Sequence, residues 1–168
     1  LAEAARGVLG SEPQRLRPDA YHSGKRVMRT YRPKHFGLRE LVGPDLYMAR
    51  GEAAWELLDP RGLAVLDALR DKWGPVTVND WHVGGGFSQS GLRDPVTGIG
   101  ARLSQHKSGR AFDCKFKDTT PQAVYAYLLE NADEFPGLTT LEDIAATPTW
   151  LHFDVRAANW AGIRVVKP

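Results

Sequence analysis

Two short stretches restrict this chain more than any other feature: residues 110–117 and 150–156 both alternate apolar and polar positions at the period of a β-strand. In the first, Phe112, Cys114 and Phe116 fall on one face and Ala111, Asp113 and Lys115 on the other. In the second, Leu151, Phe153 and Val155 oppose Trp150, His152, Asp154 and Arg156. Each apolar face needs a core to cover it. Each opposite face then presents a side chain able to ligate a metal. If the two strands pair, Asp113 and His152 converge.

The elements around these strands follow from cap and breaker signals. Asp59-Pro60 reads as an N-cap followed by proline in the first helical turn. Leu63, Leu66, Leu69 and Trp73 recur at helical spacing, so the spacing predicts a core-facing helix over 60–73, stopped by Gly74-Pro75. Thr120-Pro121 repeats the start signal for a second helix to about residue 132. A short helix is predicted over 48–57 and strands over 75–79 and 139–144. Residues 84–100 carry six glycines (Gly84, Gly85, Gly86, Gly91, Gly98 and Gly100) and read as a long loop, the kind that often carries function. Strands mixed with segregated helices predict an α+β domain with a mainly antiparallel sheet flanked by helices.

The 168 residues suit one domain, expected over 35–168 behind an N-terminal arm or extension over 1–34. The composition is 42% hydrophobic and 25% charged, that of an ordinary soluble globular protein. With 22 basic and 20 acidic residues the net charge is +2, too balanced to point to nucleic acid. Basic residues do gather early, at Arg15, Arg17, Lys25, Arg26, Arg29, Arg32 and Lys34, as a solvated arm or as weak attraction to an anionic polymer. The lone Cys114 excludes an internal disulfide framework, and its apolar-face position argues against nucleophilic catalysis. No apolar run approaches the roughly 20 residues of a membrane span. No secretory signal is visible; the start at Leu1 rather than Met suits a processed form. A monomer is expected.

His106 joins Asp113 and His152 as a third ligand of a kind that zinc accepts, and a three-ligand zinc site leaves a fourth position for water. A Ser/His/Asp hydrolase fits less well, since the chain has no G-x-S-x-G elbow. The stretch Ser104-Gln-His106-Lys-Ser-Gly109-Arg-Ala111-Phe-Asp113 resembles the S-x-H-x-x-G-x-A-x-D signature of the D-alanyl-D-alanine metallopeptidase and hedgehog-like zinc peptidases. Trp150-Leu-His152-Phe-Asp154 resembles that family's second signature, and the likeness spans roughly residues 35–160, closest to the branch of phage lysins and bacterial cell-wall hydrolases. It implies a Zn2+ held by His106, Asp113 and His152, and cleavage of a peptide bond in peptidoglycan stem peptides or cross-links, by a carboxypeptidase or an endopeptidase. It implies action in the cell wall or periplasm, or in a phage. It also implies a role for Arg93 in Ser90-Gly91-Leu92-Arg93, polarising the scissile carbonyl or binding a substrate carboxylate. Leu92 replaces the usual aromatic.

One departure stands out. Relatives often carry the general base as E-x-x-H, but Thr149 occupies that position here. The nearest upstream carboxylates are Glu142 and Asp143; Glu142 has the longer reach, and strand parity alone does not choose between them. Ser104 is expected to support substrate or loop, and Asn79 and Trp81 to line the cleft, although Trp81 fits a core position equally. Asp154 is expected either to orient a ligand histidine or to pair with Arg156. The competing reading is a non-catalytic binding or virion-structural module that keeps the metal for stability.

Overall fold

The architecture is that of a computed structural model that describes residues 31–168. Among the described residues, four α-helices and five strands build an α+β fold. In chain order they are α1 (Leu38–Leu41), α2 (Pro44–Arg50), α3 (Pro60–Trp73), β1 (Val76–Thr77), β2 (Ala111–Phe116), α4 (Pro121–Glu130), β3 (Thr140–Glu142), β4 (Leu151–Asp154) and β5 (Arg164–Val166). The sheet order is β1-β2-β4-β3-β5, antiparallel except for the parallel β3–β5 pair. The sheet is therefore mixed.

The alternation seen in the sequence sets the two faces. Register pairs Phe112 with Phe153 and Cys114 with Leu151, while Leu141 pairs with Phe153 from the other side. All five are fully buried and form the sheet's core face. α3 and α4 cover this face. α3 starts where the Asp59 side chain accepts from the Arg61 N–H at 3.0 Å, and it buries Leu63, Leu66 and Leu69. Gly62 brings it close to the sheet: a Cβ there would lie 2.7 Å from the Phe112 ring. α4 is capped by Thr120, which accepts from Ala123 N–H, and it buries Val124 and Leu128.

Several boundaries differ from expectation. The predicted helix over 48–57 is α2 followed by a 3-10 turn, Gly51–Leu57, because Gly51 adopts φ +50 and interrupts the α-helical ladder. The predicted strand over 75–79 shrinks to β1, since Asn79 N–H leaves the sheet to bond Glu40 O at 3.0 Å. α4 ends at Glu130, and Asn131 donates its amide to Tyr127 O at 2.9 Å. β5 was not foreseen. Residues 31–34, assigned above to the arm, pack on α3: Tyr31 Oη donates to Asp67 at 2.7 Å, Lys34 N–H reaches the same carboxylate at 2.8 Å, and Lys34 Nζ pairs with Asp71. The compact unit thus begins before residue 35, and the basic positions from Arg15 to Arg29 lie outside the described residues. Among the described residues, no helix is long and apolar enough to cross a membrane.

Candidate metal centre

The opposite face of the sheet carries the polar set. Register pairs Asp113 on β2 with His152 on β4, and Thr140 on β3 with Asp154. Carrying that register one step beyond Leu141↔Phe153 sets Glu142 beside His152. Asp113, His152 and Glu142 therefore form one row across three neighbouring strands.

His106 arrives from outside the sheet, on the 3-10 turn Gln105–Ser108 that precedes β2. The turn ends at Gly109, with φ +65, where a Cβ would lie 1.9 Å from Leu57 O. Only glycine fits there. His106 Nδ1 lies 2.9 Å from Gly91 O. A carbonyl can only accept, so Nδ1 carries the proton and Nε2 turns a lone pair to the site. Gly91 is itself pressed against α1: a Cβ would meet Leu41 O at 2.1 Å. Leu92 N–H bonds that same carbonyl at 2.8 Å.

Three ligand atoms meet at this point. His106 Nε2 lies 3.2 Å from His152 Nδ1 and 3.3 Å from Asp113 Oδ1, and His152 Nδ1 lies 2.7 Å from Asp113 Oδ1. Bonds of about 2.0–2.1 Å at tetrahedral angles put neighbouring donors about 3.4 Å apart. The two separations from His106 are near that spacing and the His152–Asp113 separation is shorter, and this group could hold a metal ion. His106 and Asp113 are buried and His152 nearly so.

The electrostatics favour a carboxylate flanked by imidazoles. Burial pushes the Asp113 carboxyl up, but hydrogen bonds from His106 and His152 outweigh it and hold the group far below the usual range. Burial opposes charge on His152 as well, yet Asp113 and then Asp154 raise it to about 9. His106, the more deeply covered ring, is pushed down by burial, against the pull of Asp113. Asp154 is fully buried and sits 3.9 Å from His152 Nε2. Arg156 Nε holds it at 2.8 and 3.0 Å, so of the two roles expected of Asp154 the pairing with Arg156 is the one made by hydrogen bonds, while His152 lies beyond hydrogen-bond distance.

A cleft of about 390 Å³ opens over the trio, and Arg93, Ser104, Glu142, Trp150 and Arg156 line it. Arg93 is held by Nε–H donating to Gln89 O at 2.6 Å, and its Nη2 lies 3.3 Å from Asp113 Oδ2. Asp143 is elsewhere: its side chain accepts from Ala145 N–H at 3.0 Å in the turn after β3, and by parity it follows Leu141 to the other face. Asn79 and Trp81 are not among the lining residues, contrary to expectation. Asn79 Oδ1 accepts from Ser90 N–H at 2.9 Å, and Trp81 Nε1–H donates to Val42 O at 2.9 Å. Asn79 thereby braces the loop that delivers Arg93, and Trp81 does so through its backbone N–H, which bonds Phe87 O at 3.1 Å. Thr149 is exposed.

Sequence reasoning gave no role to Lys115, Gln89 or Gln105. Lys115 Nζ donates to Ser90 Oγ and to Val78 O, which ties the Arg93 loop to β2. Its strand parity with Asp113 was the available signal. Comparison with protein-family models, curated proteins and solved structures finds no match to this chain.

Proposed function

We propose that this domain is a zinc metallopeptidase that hydrolyses a peptide bond in peptidoglycan stem peptides or cross-links. One observation carries the reading: His106 Nε2, Asp113 Oδ1 and His152 Nδ1 converge from separate segments, with Glu142 next in the same row. Two imidazoles and a carboxylate at tetrahedral spacing suit zinc better than calcium or magnesium, which prefer all-oxygen shells. A zinc ion held there supplies Lewis acidity and brings the pKa of a bound water toward neutrality.

The chain's own residues do the rest. Glu142 takes a proton from the attacking water at its carboxylate and returns it to the leaving nitrogen. The hydroxyl joins the carbonyl carbon, the C–N bond breaks, and the amine departs with the proton. Arg93, fixed by Gln89 O and half-buried beside Asp113, offers a permanent positive charge to the developing oxyanion. Asp154, held by Arg156, orients His152 through its second ring nitrogen. Peptidoglycan as substrate puts the site of action in the cell wall or periplasm, or in a phage particle.

The absence of a glutamate at position 149 favours a second reading, a binding module stabilised by its metal. Turnover of purified peptidoglycan separates the two. The zinc-loaded chain is expected to release peptide products, Glu142→Gln to lose about 10²–10⁴ in kcat while keeping its zinc, and Asp143→Asn to stay within about twofold. Full zinc with no product under any condition supports the binding module. Equal activity in Glu142→Gln removes Glu142 as the base.

A further inference from the structure

The cleft over the trio has cations that the reaction outlined above leaves without a task. Arg93, Arg156 and Lys167 line it against two acids, Asp113 and Glu142, and Asp113 faces the two histidines. Arg93 serves the carbonyl oxygen. Lys167 is exposed and pairs with no acid among the described residues. Arg156 is built in.

Its setting comes from β4. Arg156 keeps the strand parity of His152 and Asp154 just past the strand's end. Its backbone N–H donates to Asp154 Oδ1 at 3.1 Å, and its Nε–H and Nη2–H grip both oxygens of the same carboxylate. Asp154 is fully buried, so the clamp is anchored inside the fold. Only one edge of the guanidinium is used. Both Nη1 hydrogens and the second Nη2 hydrogen have no partner among the described residues, and the side chain keeps 33% of its exposure while lining the cleft. An open edge of this kind matches the two oxygens of a second carboxylate. Because Asp154 already holds the side chain, little rotamer freedom is left to lose on binding. The position is close to the chemistry: Asp154 Oδ2, which accepts from Arg156 Nη2, is 3.9 Å from His152 Nε2.

We infer that this flank is a carboxylate subsite with Arg156 as its specificity-determining residue. The open edge of the guanidinium takes a free carboxylate of the peptide close to the bond that lies over the trio, and Lys167 adds a second positive charge. The cleft therefore selects acidic over amidated peptides. This rests on the peptidase reading for the peptide nature of the ligand. A C-terminal carboxylate and one within the chain offer the same chemistry, and the test separates them.

The probe is a synthetic N-acetylated stem pentapeptide in four forms: unmodified, amidated at its C-terminus, amidated at its internal carboxylates, or both. Binding to the zinc-loaded full chain carrying Glu142→Gln is measured by calorimetry. The unmodified peptide is expected to bind at least about tenfold more tightly than the doubly amidated one, and the single amidation that loses this advantage identifies the carboxylate. Adding Arg156→Gln should abolish the preference. Adding Arg156→Lys, which keeps a cation for Asp154 without the fork, should cut it below about threefold with one zinc still bound. Equal binding of all four forms overturns the inference. So does a preference that survives both substitutions, or a substitution that weakens the amidated and unmodified peptides alike. Turnover of the same peptides by the native chain tests the other reading: a preference with no product overturns the peptidase and leaves the carboxylate subsite standing.

Discussion

At the scale of single residues, one backbone carbonyl decides what His106 can do. Gly91 O occupies Nδ1, which leaves Nε2 as the only nitrogen free to ligate. His152 is arranged the other way round, with Nδ1 on the trio and Nε2 toward Asp154. Outer carboxylates of this kind typically change metal affinity 10–100-fold. Asp154→Asn is accordingly expected to weaken zinc binding by about that factor, measured by competition with a chromophoric chelator. A second expectation concerns protons. His152 is raised from its ordinary 6.5 to about 9 in the metal-free fold, so that fold binds a proton the unfolded chain does not. The stabilisation is fully present below pH 6.5 and lost as pH rises through about 9. Zinc must displace this proton, so its affinity should rise by about tenfold per pH unit up to that point. Calorimetry in buffers of different ionisation heat should find close to one proton released per zinc at pH 7.5. No release would mean that His152 is already neutral.

Asp113 and His152 were legible in the sequence because alternation on β2 and β4 takes them off the core, whatever the partner strands; His106, on a 3-10 turn outside the sheet, was singled out by its residue type and the resemblance. The choice between Glu142 and Asp143 was not legible. Neighbours on a strand differ in face, but which face meets the metal depends on the register of β3 against β4, a non-local fact. Asn79 was misread for a related reason: proximity to the glycine-rich loop in sequence made it look like lining, whereas it holds that loop from behind.

At the scale of elements, α3 sets the height of the sheet. Its predicted span, 60–73, matches the structure because the Asp59 cap, Pro60 and Gly74 are local signals. Its contact with β2 is not local: Gly62 meets the Phe112 ring at a distance that leaves no room for a methyl. Gly62→Ala gains helix propensity but overpacks the core. A net loss of roughly 1–3 kcal/mol is expected in urea unfolding, with zinc stoichiometry retained. Unchanged or raised stability would show that Phe112 can yield. β5 escaped the sequence because its residues are exposed or half-buried and its pairing with β3 is parallel, so neither alternation nor a hairpin turn announces it. The 48–57 helix was misjudged at Gly51, whose positive φ changes the ladder while the apolar spacing continues.

At the scale of the molecule, the fold is a platform with two uses. One face of the mixed sheet is buried under α3 and α4; the other carries a row of ionisable groups that only a covering loop, residues 84–109, turns into a site. Asn79 through Ser90 N–H, the Trp81 backbone N–H through Phe87 O and Lys115 through Ser90 Oγ all tie this loop down, which makes Arg93 part of a fixed frame. A preorganised site of this kind should bind its metal without large rearrangement. The decisive measurement is the metal content of the purified chain after exhaustive dialysis against zinc-buffered solution, by mass spectrometry of the element, alongside His106→Ala. One zinc per native chain, and less than about a tenth of that in a folded His106→Ala variant, is the expected result. No stoichiometric metal in the native chain, or equal metal in the variant, would contradict the assignment of His106, Asp113 and His152 as the metal centre.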